Sequence, residues 1–279
     1  MTDIANIPNL AVAADTVTNV ELVQVIADNA TIGTTFETIN NTNADSVFPV
    51  ILGADIDVVS ADAADDGSPV GTGANTIRIT YLDASFNQAS QDVTLNGTTP
   101  VELTEQNITF IQKGELLTSG TGLASAGAIT IADVTGGGVH AVIDAGARDT
   151  GNCAWMVPAG HTGYIHGFWA DVDAAAAGAG TAEVALQVAH AGFSGVANSE
   201  TWRTVAKLTY VVNDNDVVSA TGGNAVNQGF FSFPGGQPFV VPAKTMVRLA
   251  GKAPAAVACT AGFSMSVQGS GSGTTVTQS

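Results

Sequence analysis

Apolar side chains recur in this sequence with a period of two over short stretches, and Gly, Pro, Asn and Asp stand between those stretches. Few folds accept that pattern. Residues 76–82 (TIRITYL) put Ile77, Ile79 and Tyr81 on one side and Arg78 and Thr80 on the other, as a half-buried strand requires. Further strand-like runs cover 21–26, 47–52, 92–95, 101–103, 107–112, 128–131, 139–143, 154–157, 164–172, 183–190, 204–212, 229–233, 239–241, 246–250 and 263–267. Asn96-Gly97 suits a tight hairpin turn, because both residues tolerate positive φ. No amphipathic window has the length of a crossover helix, so a parallel α/β sheet is excluded. A single helical turn at the start of 198–207 is the most helix expected. The expected fold class is all-β, an antiparallel β-sandwich or jelly roll.

The glycine run Gly136-Gly137-Gly138 divides these segments. The expected organisation is two β-domains with an extended N-terminal arm: arm 1–20, a β-sandwich domain 21–135, a jelly-roll-like domain 136–268, and a flexible tail 269–279 (GSGSGTTVTQS). All three Trp (Trp155, Trp169, Trp202) fall in the later domain, which is therefore expected to hold the heavier core. Residues 157–162 (VPAGHT) and 241–245 (VPAKT) echo one another. Their simplest meaning is two strand-to-strand bends of like chemistry.

Charge narrows the function. Eight Lys and Arg stand against 25 Asp and Glu, a formal net charge of -17. The first 77 residues hold eleven of the acids and no Lys or Arg. Nucleic acid and anionic membrane surfaces are excluded as partners, since both need a basic face. No stretch has the roughly 20 apolar residues of a membrane span. The start, Met1-Thr2-Asp3-Ile4, carries an acid where a secretory signal carries Lys or Arg. Cys153 and Cys259 lie too far apart in sequence to suggest a disulfide framework and are expected to be free core residues.

Motifs for chemistry are missing. There is no Gly-x-Ser-x-Gly elbow, no His-Glu-x-x-His and no phosphate loop. The triple glycine precedes a strand, so it offers no helix N-terminus to an anion. Asp55, Asp57, Asp62, Asp65 and Asp66 are numerous enough for Ca²⁺, but their spacing is not that of an EF-hand and no bidentate Glu closes it. A solvated acidic loop is expected there, and Asp214 and Asp216 are a weaker case of the same kind. Cys153, His161 and His166, with His140, His190 or Cys259 as a fourth ligand, match no zinc spacing. His166 alternates with apolar neighbours, as a structural histidine does. Glu183 and Glu200 are not singled out as a glycosidase pair by any spacing. Catalytic residues, cofactor-binding residues, metal ligands and cofactors are accordingly all expected to be none.

Residues 157–165 (VPAGHTGYI), followed by a Trp/Phe-containing strand, resemble virion structural proteins of tailed bacteriophages. So do 239–249 (FVVPAKTMVRL) and 77–101, where a strand and a polar hairpin precede LNGTTPV. The resemblance spans roughly 75–249 and consists of turn-and-strand motifs. It implies a β-rich, non-enzymatic component on the exterior of a particle: a capsid decoration or cement protein contacting the major capsid protein, or a head or tail fibre that binds a receptor or glycan. It also implies a homo-oligomer, commonly a trimer. In the glycan case Trp169 and Trp202 are the candidate sugar-stacking residues. A bacterial surface-layer or adhesin module is a third reading, disfavoured by the missing signal. The acidic start is expected to dock on Lys or Arg of the shell, or else to swap between protomers.

Overall fold

Along β1 (Val20–Ile32) the residues Val23, Val25 and Ala27 are buried, and Gln24, Ile26 and Asp28 between them are exposed. The same alternation runs through β17 (Val257–Gly269), which pairs with β1 antiparallel over its length, from Val20 opposite Gln268 to Ile32 opposite Val257. The first and last strands of the chain are therefore neighbours. The computed structural model describes residues 20–41, 55–134, 138–173, 180–190, 201–212, 227–254 and 257–269. Every strand pair in it is antiparallel, and no α-helix occurs among the described residues.

One sandwich is built from two five-stranded sheets. The first runs β1–β17–β11–β14, with β15 beside β11; here β11 is His161–Asp173, β14 Asn227–Ser232 and β15 Phe239–Val241. The second runs β10–β16–β12–β13, with β2 beside β16; these are β10 (Ala154–Met156), β16 (Thr245–Lys252), β12 (Gly180–His190), β13 (Arg203–Val212) and β2 (Glu37–Thr38). Their inward faces enclose a core that includes Val25, Trp155, Phe168, Leu186, Leu249, Phe263 and Met265. With the short strands β2 and β15 set aside, the eight main strands in chain order 1 to 8 lie as 1-8-3-6 in one sheet and 2-7-4-5 in the other. That is the double Greek-key order of a jelly roll, so both terms of the expected fold class describe this sandwich.

Between its first and second main strands the chain leaves and builds another sandwich. A four-stranded sheet, β6–β3–β8–β9, contains β6 (Val101–Glu102), β3 (Ile56–Ser60), β8 (Ile129–Asp133) and β9 (Val139–Ile143). It packs on a three-stranded sheet, β5–β4–β7, made of β5 (Gln88–Thr94), β4 (Ala74–Leu82) and β7 (Phe110–Ser119). The expected boundary at 135/136 does not follow the pairing. β1 and β2, expected with the earlier domain, lie in the jelly-roll sheets, while β9 hydrogen-bonds to β8. Long-range register decides membership, and a glycine run does not specify it.

The inserted sandwich is tied on at two places. At a neck the outgoing and returning chains run side by side: Asn41 N donates to Gly151 O, Cys153 N to Ile39 O, and Asn40 bridges Asn152. At a waist, Leu82 and Phe110 of the insert pack with Ala154, Met156, Ala189 and Met246 of the jelly roll. There the Gln112 amide clips the Met156 backbone, Nε2 donating to its carbonyl at 2.6 Å and Oε1 accepting from its N–H at 3.0 Å.

Several local expectations changed in three dimensions. Gly97 does turn at positive φ (56°) and Thr99 N reaches Asn96 O, yet the strands on either side join different sheets, β5 with β4 and β6 with β3. The VPAG and VPAK bends are the same turn, with Gly160 and Lys244 at φ 69° and 59°, and they bond each other through Val157. Residues 203–212 are strand, as expected for 204–212, while residues 198–200, where a helical turn was expected, lie outside the described residues. The segments 1–19, 42–54 and 270–279, with Gly136 and Gly137, lie outside the described residues.

Candidate functional site

The acids at 55–66 resolve into separate jobs. Asp57 lies within β3, whose Ile56, Val58 and Ser60 face the core. Burial, then the Asp133 charge, raises its carboxyl above the usual range. Asp65 is fully buried and accepts four hydrogen bonds, from Ser60 Oγ (2.6 Å), Ala74 N (2.6 Å), Ala126 N (2.8 Å) and Gly127 N (2.9 Å). It is thus no part of a solvated loop; it fastens its own segment to the end of β3, the start of β4 and the loop before β8. Gly73 packs so close that a Cβ there would overlap Asp65 Oδ1. Asp62 and Asp66 each accept from a backbone N–H two residues on, Ala64 and Ser68, the ordinary Asx turn. Among the described residues no three His, Cys, Asp or Glu converge as a metal site. Asp214, Asp216 and Glu200 lie outside the described residues.

The thiols and histidines are likewise dispersed. Cys153 and Cys259 are both buried and free, and the Cys153 thiol donates to Ala261 O. Burial pushes both thiols up, Cys259 to about 12, so neither is a thiolate nucleophile near neutrality. His161 bonds Ala159 O, His166 bonds Ser266 Oγ, and His190 bonds Thr245 Oγ1. His140 is buried in β9 with Nε2 at 2.7 Å from Asp133 and Nδ1 without a partner; burial, more than Asp133 offsets, lowers its pKa. Glu183 is held by Lys207 and Lys252. Their hydrogen bonds and charges keep its carboxyl below the usual range, against a small desolvation cost.

The Trp residues differ sharply. Trp155 is core. Trp202 lies under the Arg248 guanidinium, 3.9 Å from the ring centroid. Trp169 instead stands half-buried on the outer face of the β1–β17–β11–β14 sheet. Register places Ile26, Gly262, Trp169 and Phe230 directly opposite one another on four successive strands. Ile26 is 57% and Phe230 71% exposed, so an apolar bar crosses the sheet. Gly262 and Gly167 make room for the rings: a Cβ on Gly262 would lie 3.0 Å from Trp169 Nε1, and one on Gly167 3.3 Å from Phe230 Cζ. An open depression of about 580 Å³ lies against Trp169 and Phe230, with Ala170 and Gly229 also lining it among the described residues.

The next row outward is acidic. Asp28 and Asp171 flank Thr260, in register on β1, β11 and β17. Asp171 Oδ1 is buried and meets no donor among the described residues. The five strands of this sheet contain no Lys or Arg, whereas the opposite sheet carries Arg203, Lys207, Arg248 and Lys252. Sequence reasoning named Trp169 but not the face, because its members come from positions 26, 169, 230 and 262. Period-two alternation does place Ile26 opposite to Val23 and Val25, and that was the available signal.

No protein-family model matches the chain, and no curated protein matches it. Among solved structures the chain is similar to "Structure of infectious bursal disease virus Gt strain", with 12% identity, TM-score 0.23, and 89% of this chain and 72% of that chain covered. It is also similar to the infectious bursal disease virus VP2 subviral particle, with 11% identity, TM-score 0.21, and 90% and 72% covered. Likenesses at these TM-scores carry no argument about fold or role.

Proposed function

We propose that this protein is a non-enzymatic structural component of a virus particle, a capsid decoration or cement protein seated on the outer shell of a tailed phage. The jelly-roll strand order is the observation that carries the reading, because eight-stranded jelly rolls recur in viral capsid and lectin domains. Fold alone does not assign function, but here the local chemistry agrees. Polar side chains described above fasten the structure: Asp65 its loop, Gln112 the waist, and the His166–Ser266 and His190–Thr245 pairs neighbouring strands. The acidic surface keeps a protein of high copy number soluble. In this reading the two sandwiches are separate domains, the chain assembles as a trimer, and residues 1–19 attach it to the shell. The lectin branch of the same fold favours a second reading, a fibre module that stacks a glycan on Trp169.

Gradient-purified particles from a culture that produces the chain test this. An antibody to the chain should label shell lattice positions, and sedimentation of the free protein should give a trimer. Label on tail fibres selects the second reading, and label confined to the cell envelope overturns both. Deleting residues 1–19 should abolish rebinding to stripped particles; unchanged rebinding with loss of the trimer would assign those residues to oligomer exchange instead.

A further inference from the structure

The outer face of the β1–β17–β11–β14 sheet combines three features that call for one kind of ligand. Its bar of Ile26, Trp169 and Phe230 is apolar and exposes two aromatic rings. Its next row holds Asp28 and Asp171, one oxygen of which is buried without a donor. No Lys or Arg lies on any of its strands. Elsewhere the chain covers aromatic faces with its own cations: Lys244 over Phe86 at 4.7 Å, Arg248 over Trp202 at 3.9 Å and Lys252 over Phe36 at 4.7 Å. Among the described residues, no cation covers Trp169 or Phe230.

We propose that this face receives an extended basic segment of a partner protein, its Arg or Lys side chains stacked on Trp169 and Phe230 and paired with Asp171 and Asp28. Ring quadrupole and carboxylate attract the same cation. The aromatic and acidic rows lie two strand residues apart, the spacing at which an extended peptide with a base at every second position presents successive bases to one face. Charge decides against the other occupants. A second copy laid face to face would set Asp28 and Asp171 against their equals with no Lys or Arg on either sheet. A neutral sugar would use the rings and leave the negative charge uncompensated. The proposal concerns this face alone and stands whether or not the partner is a capsid shell.

Calorimetric titration of the full chain with a synthetic ten-residue peptide of alternating Arg and Val tests it. Binding is expected, weakening as salt rises. Trp169→Leu, which keeps apolar area but removes the indole face, should weaken binding about tenfold, as should Asp171→Asn; circular dichroism melts establish that both variants are folded. A Glu/Val peptide should not bind. Equal affinity for the Glu/Val peptide, or for both variants, would overturn the proposal. So would self-association in sedimentation that Trp169→Leu abolishes, or competition by maltoheptaose or chitohexaose for the same site.

Discussion

Replacing Asp65 by Ala should unfold the inserted sandwich, while the same change at Asp62, three residues away, should be nearly silent. Asp65 accepts from one hydroxyl and three backbone N–H groups, at 2.6 to 2.9 Å, and is fully buried. Truncation removes every acceptor and leaves four donors behind. Each buried donor without a partner costs about 1–3 kcal/mol. Water can reach the less buried Ala126 N–H, so the expected loss sits near the lower end, at about 5 kcal/mol. A domain commonly has about 5–15 kcal/mol in all. Asp65→Asn keeps one oxygen but turns the other into a donor facing Gly127 N, and should cost about 2 kcal/mol. Asp62 accepts one exposed turn bond, so its loss should cost under about 1 kcal/mol. All three Trp lie in the jelly roll, so fluorescence is a poor probe of the insert. Hydrogen exchange read by mass spectrometry over β3, β4 and β8 reports it directly. If Asp65→Ala leaves the protection of those strands unchanged, or if Asp62→Ala lowers it equally, the carboxylate is not the fastening it is taken to be.

Three further changes probe other contacts. Because burial lowers the His140 pKa below its ordinary 6.5, the unfolded chain takes up a proton that the folded one resists; stability should be full above that pH and fall as pH drops through it. Urea midpoints from pH 8 to 5 should show that slope, and His140→Gln should flatten it. Gly262→Ala sets a methyl 2.7 Å from Val25 O and 3.0 Å from Trp169 Nε1, and a drop of about 2 kcal/mol in urea stability is expected. Gln112→Leu strands the Met156 N–H and C=O at the waist; it should cost about 2–4 kcal/mol, and calorimetry should split one thermal transition into two.

Local alternation was enough to find many strands. Ile77, Ile79 and Tyr81 face inward as their spacing implies, and β9 and β15 begin and end where the residues suggest. β3 was hidden by Asp55 and Asp57, whose charge suggests a loop although Ile56, Val58 and Ser60 alternate correctly. Pairing was not legible. Nothing near Val25 points to Phe263, 238 residues away, because register is fixed by burial on one face and by which edges are free when the strands meet. The same limit hid the Asp65 hub, whose donors lie at 60, 74, 126 and 127, and the Ile26–Trp169–Phe230 bar.

The pairing of β1 with β17 has a mechanical consequence. Val20, where the first described strand starts, lies opposite Gln268, near the end of the last. Tension applied between the two ends of the chain would load these strands from the same end, so their hydrogen bonds would break one at a time, as a zipper opens. Tension applied across the sheet through its exposed side chains would meet many bonds at once. A sheet built this way resists shear across its surface far better than tension between its two ends.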